Sequence, residues 1–213
     1  MPEAPPRPVR LVTCSTAPNP RRVHAFMAEK GIELPLRDID LATRAHYAPE
    51  HLEKFDTHHL PALELEDGST LTETVAICRY LEALHPEPNL MGATPLETAK
   101  IEQWVRRGEF QFMLPVAFVF RHSHPSMATL ERQVPEWSEA NRARVLEGLA
   151  LMNRRLERSA FLGRETFSIA DIGAYLSLDF MRVTKIAIPE EMTALIRWRD
   201  ALAERPSLAR PKR

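Results

Sequence analysis

The chain has 213 residues, of which 44% are hydrophobic, and its formal net charge at neutral pH is −1. This length suits one compact protein of one or two small domains with a real hydrophobic core. The near-zero charge leaves no electrostatic case for nucleic-acid binding, which normally needs a basic face. No apolar run approaches the ~20 residues that cross a bilayer. We therefore expect neither a nucleic-acid nor a membrane partner.

Cysteine and histidine usage constrains the chemistry further. The two cysteines, Cys14 and Cys78, lie far apart in unlike predicted elements, which argues against a disulfide framework and favours a reducing cytoplasm. The first ten residues are rich in proline and lack the apolar stretch of a signal peptide, in agreement with a cytoplasmic location. The histidines at 58–59 and 122–124 have no acidic or cysteine companion at ligand spacing, so no metal is expected.

The first 55 residues alternate between strand and helix patterns. In chain order the sequence predicts a strand at 9–14, a helix from 19 to 31, a strand at 34–39 and a short helix near 49–55. Asn19 followed by Pro20 is typical of a helix start, with Asn19 as the N-cap and proline in the first helical position. Pro35 cannot donate to a strand ladder, so the second strand is expected at a sheet edge.

The stretch from Leu60 to Leu84 is the most informative. Its leucines at 63 and 65 alternate with glutamates, which predicts a half-buried strand. Asp67-Gly68 predicts a tight hairpin turn, since both residues tolerate a positive φ. A helix is then predicted from Glu73-Thr74 to just before Pro86, because residues 77, 80, 81 and 84 form one apolar face.

This combination resembles the glutathione-binding half of the glutathione S-transferase family. In that family a cis-proline follows a residue whose backbone pairs with the cysteinyl part of glutathione, and an acidic-then-hydroxyl pair at the next helix start holds the γ-glutamyl group. The resemblance implies a cis Leu60-Pro61 bond, a backbone contact from Leu60, and γ-glutamyl contacts from Glu73 and Thr74. Thr74 stands where the family more often has serine, and keeps the hydroxyl.

His59 lies two residues before the proline, where the family often has a basic residue or glutamine for the glycyl carboxylate. The alternative reading of His59 is an ordinary surface histidine.

Residues 85–93 are rich in helix-breaking residues and read as a linker. Beyond the linker every pattern is helical, starting at a capping box with Thr94 as N-cap and Glu97 three residues later. That helix runs past residues 104 and 110, and Pro115 is expected to kink or break it. Ser168 and Asp171, within Phe-Ser-Ile-Ala-Asp, form a second capping box, which resembles a folding hallmark of the same family's helical domain.

The resemblance extends from about residue 10 to residue 208 and implies an α/β thioredoxin-like N-terminal domain followed by an all-α helical bundle. We accordingly assign residues 8–84 to a glutathione-binding domain with a mixed four-stranded sheet, 85–93 to the linker, and 94–208 to the helical domain. Glutathione is then the co-substrate, and a homodimer is expected because the family usually forms one.

The resemblance is weakest at the thiol-activating position. A free thiol has a pKa near 8.5, so an enzyme that uses glutathione as a nucleophile must stabilise the thiolate. The family's activating serine or cysteine falls on Ala17, which has no side-chain donor. One bacterial branch of the family reads Thr-Pro-Asn here, with the asparagine assisting at the sulfur. Thr16 and Asn19 are the candidate catalytic residues, and Ser15 and Cys14 are weaker alternatives.

The implied function is attack by the glutathione thiolate on a small hydrophobic electrophile. Trp104 and Phe110 are candidates to line an apolar electrophile pocket, although an aromatic stripe on a helix also suits a core. A glutathione-dependent peroxidase or disulfide reductase on the same fold is an open alternative. A non-catalytic glutathione-binding module is another, and Ala17 keeps it open.

Overall fold

The computed structural model describes residues 4–210, which form two compact units. The first extends to Pro88 and takes in Arg210, and the second extends from Asn89 to Ala209, so the boundary falls inside the predicted linker. The first three residues of the proline-rich N-terminal stretch lie outside the described residues. The elements of the first unit are β1 (Pro8–Thr13), α1 (Pro18–Lys30), β2 (Leu36–Asp38), α2 (Pro49–Phe55), β3 (Ala62–Leu65), β4 (Thr70–Thr72) and α3 (Thr74–Leu84).

The strands form one mixed four-stranded sheet in the order β2-β1-β3-β4. β2 and β4 are the two edge strands. β2 pairs in parallel with β1, whereas β3 is antiparallel to both β1 and β4. Gly68 has a φ of 85° in the turn between β3 and β4, a conformation that glycine adopts without a steric penalty. The peptide bond between Leu60 and Pro61 is cis. The predicted mixed sheet, edge strand, hairpin and cis bond are all confirmed.

Helices α1 and α3 pack together and supply the core of this unit. Val23 and Phe26 of α1 and Ile77 and Leu81 of α3 are completely buried. A smaller apolar cluster joins Val12, Ile39, Phe55 and Ala62, with the side chain of Leu60 packed against it.

The predicted start of α1 is wrong by two residues. Its N-cap is Ala17, with extended backbone and no side-chain capping bond, and its first helical residue is Pro18. Asn19 is therefore the second helical residue and not the N-cap. Both prolines fit the first turn because its N–H groups have no intrahelical acceptor, so the missing N–H of Pro18 costs as little as that of Pro20.

The second unit is helical. Its elements are α4 (Pro95–Arg107), α5 (Leu114–Ser123), α6 (Pro135–Leu156), α7 (Ile169–Met181) and α8 (Thr193–Ala203). Between α4 and α5 the chain forms a π-helical segment, Gly108–Met113. Because Pro115 lacks an N–H and its ring crowds the preceding turn, a widened turn at this place agrees with the predicted interruption.

Side-chain caps fix the starts of α4 and α7 in this unit. The Thr94 hydroxyl accepts a hydrogen bond from the Glu97 N–H at 3.2 Å, and Glu97 accepts one from the Ala93 N–H at 2.7 Å. Ser168 donates to the Asp171 carboxylate through its N–H at 3.1 Å and its hydroxyl at 2.9 Å. The predicted box of Ser168 and Asp171 is confirmed. At Thr94 only half of the predicted box forms, because Glu97 accepts from the Ala93 N–H and not from the N–H of the N-cap residue. Among the described residues, no helix is both long and apolar enough to span a bilayer.

Candidate glutathione site

The pairing of the strands brings three separate segments together at one end of the sheet, which we call the site edge. Val12 of β1 pairs with Ala62 of β3, and Ala62 pairs in turn with Thr72 of β4. The end of β1, the start of β3 and the end of β4 therefore lie side by side. The residues that continue from these three ends are the Cys14–Pro18 loop, the residues before Ala62, and the start of α3.

The loop after β1 is a tight turn. The Ala17 N–H donates to the Cys14 carbonyl at 3.0 Å, and the next hydrogen bond along the chain runs from the Arg21 N–H to the Ala17 carbonyl at 3.1 Å. Since Pro18 and Pro20 carry no N–H, the Asn19 N–H is the backbone donor that remains in the first turn of α1. Within residues 4–210 it has no acceptor. The partial positive charge of the helix N-terminus is therefore presented largely through one amide.

Thr16 and Asn19 are both exposed beside this turn. The Thr16 hydroxyl lies 3.5 Å from the Cys14 sulfur, and Cys14 is 5% exposed. Ser15 is different, because its N–H donates to the Asp38 carboxylate at 3.1 Å and its hydroxyl donates to the other oxygen of that carboxylate. The Ser15 hydroxyl proton therefore already takes part in a hydrogen bond to Asp38.

A second contact fixes the end of β1. The Thr13 hydroxyl and His24 Nε2, on α1, are 2.8 Å apart. Burial lowers the pKa of His24, while the nearby Asp38 carboxylate raises it. Neither Asp38 nor His24 was singled out from the sequence. Asp38 contacts a residue 23 positions away in the sequence, and His24 contacts one 11 positions away. The position of Asp38 at the end of a predicted strand is the one sequence signal that could have identified it.

The segment before β3 carries Leu60 and His59. The Leu60 side chain packs into the cluster around Phe55, which leaves its backbone as the part that can meet a ligand. His59 is exposed, and both its N–H and its Nδ1 lie 3.1 Å from the Thr57 hydroxyl. Its ring is 4.4 Å from that of His58, which stacks on Tyr47 at 4.5 Å. His59 therefore belongs to a group of imidazole rings.

Two further histidines complete that group. His46 contacts the Tyr47 ring at 4.5 Å, and His51 lies against Phe55 at 4.8 Å. His51 is 6% exposed, and neither of its ring nitrogens has a hydrogen-bond partner among the described residues. Burial and the neighbouring histidines lower the pKa of both His46 and His51.

The start of α3 has an unusual backbone. Glu73, its N-cap, has φ 67° and ψ 119°, outside the regions that residues with a Cβ normally occupy. Such conformations cluster at ligand sites, where the surrounding structure holds them in place. Glu73 is exposed at this edge and Thr74, the first helical residue, is 8% exposed. An acid and a hydroxyl thus meet at a helix N-terminus, as predicted from the sequence.

The two aromatic candidates in the helical unit are not brought together. Trp104 is 7% exposed and lines a depression of about 650 Å³ whose other lining includes Lys100, Arg107 and Arg164. Phe110 is 59% exposed and lines a different depression, of about 400 Å³. A shared apolar pocket for these two rings stays a prediction.

Within residues 4–210, no group of three or more His, Cys, Asp or Glu side chains is arranged to hold a metal ion. Cys14 and Cys78 are buried free thiols, and burial raises the pKa of Cys78 strongly. Cys78 is therefore protonated and inert as a nucleophile at neutral pH.

A thioredoxin-like four-stranded sheet, followed by a helical unit with a buried serine–aspartate cap, is the architecture of the glutathione transferase fold. The family model for the glutathione S-transferase N-terminal domain matches residues 16–84, and the one for the C-terminal domain matches residues 135–201. Glutathione S-transferase 2 of Saccharomyces cerevisiae is 33% identical over 195 residues, covering 90% of this chain and 84% of the yeast protein. The chain belongs to the glutathione S-transferase family.

Solved structures agree with this assignment. A glutathione S-transferase domain-containing protein from Marinobacter aquaeolei has a TM-score of 0.88 at 31% identity, covering 94% of this chain and all of that one. The structure of Gtt2 from Saccharomyces cerevisiae has a TM-score of 0.87 at 32% identity, covering 94% and 98% of the two chains. The predicted family and fold class are confirmed.

Proposed function

We propose that this protein is a glutathione transferase that activates the glutathione thiol for attack on an electrophilic carbon of a hydrophobic second substrate. The observation that carries the proposal is the register across β1, β3 and β4. It places the Cys14–Pro18 loop, Leu60 and the Glu73-Thr74 pair at the site edge. The loop offers hydrogen-bond donors for a thiolate, and the Leu60 backbone can pair with a peptide. The Glu73-Thr74 pair offers groups that can bind the ammonium and carboxylate of an amino acid.

Each part of glutathione has a matching group at this edge. The Glu73 carboxylate accepts from the α-ammonium of the γ-glutamyl residue in a charge-assisted hydrogen bond. The Thr74 hydroxyl meets its α-carboxylate at the positive end of α3. The Leu60 backbone pairs with the cysteinyl residue, as strand-like peptide recognition requires. His59 donates to the glycyl carboxylate.

The thiolate then lies against the Cys14–Pro18 loop. Ala17 offers no side-chain donor, and the hydroxyl of Ser15 is engaged by Asp38. The donors that remain are the hydroxyl and N–H of Thr16 and the side chain and N–H of Asn19. Hydrogen bonds to an anion favour it strongly enough to lower a thiol pKa into the neutral range.

The second substrate is a small hydrophobic electrophile, and Trp104 and Phe110, which line separate depressions, are each a candidate contact for it. The proposal also takes in a homodimer and a cytoplasmic location, by analogy with the family. No metal takes part in it. The chemistry needs only the bound thiolate, since the carbon–sulfur bond forms as the leaving group departs from the electrophile.

A non-catalytic glutathione-binding module is the second candidate, and one observation favours it. Ala17 stands at the position where the family has its activating hydroxyl or thiol, and its side chain makes no capping bond. A protein of this kind binds glutathione without making its thiol more acidic.

The test combines binding with turnover. Calorimetry measures glutathione affinity, and initial rates are measured with chlorodinitrobenzene, cumene hydroperoxide and a glutathionyl mixed disulfide. The transferase proposal predicts binding together with turnover of the aromatic halide. Turnover of only the peroxide or only the disulfide would replace it with the corresponding peroxidase or reductase. Tight binding with no turnover of any probe would establish the binding module.

A further inference from the structure

We infer that Asp38 is a positioning residue for the thiol-activating loop, acting through Ser15. The inference rests on the proposed function, because it concerns how that site presents its donors. It assigns a role to a residue on the edge strand that does not itself need to touch glutathione.

The geometry of the contact is specific. Ser15 is the second residue of the Cys14–Ala17 turn, which closes through the Ala17 N–H and the Cys14 carbonyl at 3.0 Å. Its N–H donates to Asp38 Oδ1 at 3.1 Å and its hydroxyl donates to Asp38 Oδ2. One carboxylate thus holds both the backbone and the side chain of the same turn residue. The orientation of the following peptide, and so of Thr16, is fixed by that hold.

Asp38 is itself held in place. It pairs with Thr13 in the parallel ladder, and the next residue, Ile39, donates its N–H to the Thr13 carbonyl at 2.8 Å. The carboxyl ends of parallel strands meet at one edge, where open α/β sheets place their ligands. The carboxylate therefore connects a rigid strand end to a loop that would otherwise be restrained only by its own turn and by α1.

The contact differs from an ordinary local turn bond. In the β3–β4 hairpin, Asp67 accepts from the Ser69 N–H at 2.9 Å and from the Ser69 hydroxyl at 2.6 Å, two residues away. That pair has the same chemistry as Ser15 and Asp38, but it stabilises only its own turn. Asp38 and Ser15 are 23 residues apart, so their contact joins two elements.

The charge on Asp38 acts in the opposite direction to its positioning role. A carboxylate near the thiolate repels it and raises the thiol pKa, whereas well-aimed donors lower it. Asp38→Asn removes the charge and leaves one acceptor oxygen where Ser15 presents two donors, so it weakens the hold as well. Ser15→Ala cuts the hydroxyl contact while keeping the charge. The two variants together separate positioning from repulsion.

The experiment titrates the bound glutathione thiol by thiolate absorbance and measures kcat/KM with chlorodinitrobenzene. We expect the bound-thiol pKa to rise by about half a unit in Ser15→Ala and in Asp38→Asn, with kcat/KM falling about three- to tenfold. The double variant should add little to Asp38→Asn, because both changes break one contact. Ser15→Thr keeps the hydroxyl and should retain most of the wild-type thiol acidity and kcat/KM.

Asp67→Asn is the matched control and should leave both readouts unchanged. Thermal unfolding of each variant checks that the fold is retained, which the exposed position of Asp38 on an edge strand favours. A lowered thiol pKa in Asp38→Asn with no change in Ser15→Ala would assign Asp38 to charge repulsion and overturn the inference. So would an unchanged pKa in both variants while the wild-type bound thiol is clearly acidified. A wild-type bound thiol no more acidic than free glutathione would instead overturn the proposed function.

Discussion

The buried carboxylate of Asp171 accepts a hydrogen bond from the indole N–H of Trp198, with 3.2 Å between Oδ1 and Nε1. The same oxygen accepts the Leu162 N–H at 2.9 Å, while the other oxygen serves Ser168. One completely buried carboxylate therefore joins the start of α7 to the preceding loop and to α8. In this family the box was expected to serve folding, and its contacts here are all structural.

The titration of Asp171 gives the first prediction. Burial raises its pKa to about 6, and the hydrogen bonds from Leu162, Ser168 and Trp198 only partly oppose that rise. Between about pH 4 and about pH 6 the folded chain keeps a proton that the unfolded chain releases, so this group's contribution to stability declines as the pH rises. Asp171→Asn removes that titration. The stability difference between wild type and variant should shrink across this window.

Urea unfolding of both proteins at several pH values measures that difference. Asp171→Asn should also be less stable than wild type at every pH, since an amide presents a donor where Ser168 already donates. A wild-type advantage that grows from pH 4 to pH 6 would contradict the raised pKa of Asp171. It would mean that the hydrogen bonds outweigh burial and hold the carboxylate ionised.

Helix α6 provides a prediction about packing. A Cβ on Gly148 would lie 2.6 Å from the Gln111 carbonyl oxygen and 3.0 Å from the Phe112 ring, both in the π-helical segment. Gly→Ala normally stabilises a helix by about 0.5–1 kcal/mol. Gly148→Ala should instead lower the free energy of unfolding, by about 1–3 kcal/mol, because backbone must move.

Gly173 in α7 is the matched control. A Cβ there meets no atom within 4 Å, so Gly173→Ala should raise stability by the ordinary helix-propensity amount. Thermal unfolding of the two variants decides the matter. An equal gain in thermal stability in both variants would show that α6 does not approach the π-helical segment as closely as the structure has it.

Glutathione affinity tests the role proposed for Glu73. If its carboxylate accepts from the α-ammonium, Glu73→Gln loses a charge-assisted hydrogen bond, which costs about 1.5–3 kcal/mol of binding free energy. Calorimetric titration with glutathione should show a correspondingly weaker affinity. Glu33→Gln changes an exposed glutamate outside the site and serves as the control. An affinity equal to wild type would reduce Glu73 to a residue that favours the helix dipole.

Local signals predicted most of the fold, and the reason is physical. Alternation at residues 63 and 65, the Asp67-Gly68 turn and the Ser168–Asp171 box each depend on neighbours within a few residues. The start of α1 was misassigned because Pro18 and Pro20 both suit a first turn, so local chemistry does not choose between them. The backbone of Glu73 at φ 67° has no sequence signature, since nothing in a glutamate indicates a positive φ.

The candidate site was predictable only where chain order alone brings residues together. Glu73-Thr74 and Leu60 follow from the hairpin that joins them. Asp38 reaches Ser15 through parallel pairing of β2 with β1, a relationship that the sequence indicates only as two strand patterns. Trp104 and Phe110 line different depressions, and their spacing of six residues already puts them about 120° apart around a regular helix.

Thiol activation is the remaining prediction, and it concerns Thr16 and Asn19. A helix N-terminus contributes about 0.3–1 kcal/mol, which shifts a pKa by less than one unit. In this chain Pro18 and Pro20 remove two of the amides that would carry that effect. Direct hydrogen bonds to the thiolate, each worth about 1.5–3 kcal/mol, are therefore needed for a useful thiolate population at neutral pH.

We expect that population to depend on the two exposed side chains. Thr16→Val removes the hydroxyl while preserving the shape, and Asn19→Ala removes the amide while keeping the backbone N–H. The pKa of the bound thiol, followed by thiolate absorbance, should rise in at least one of them, with turnover falling in parallel. Thr129→Val, at an exposed threonine of the helical unit, is the control and should change neither. An unchanged pKa in both variants would transfer the activation to the backbone amides between Thr16 and Asn19, because those donors survive both substitutions.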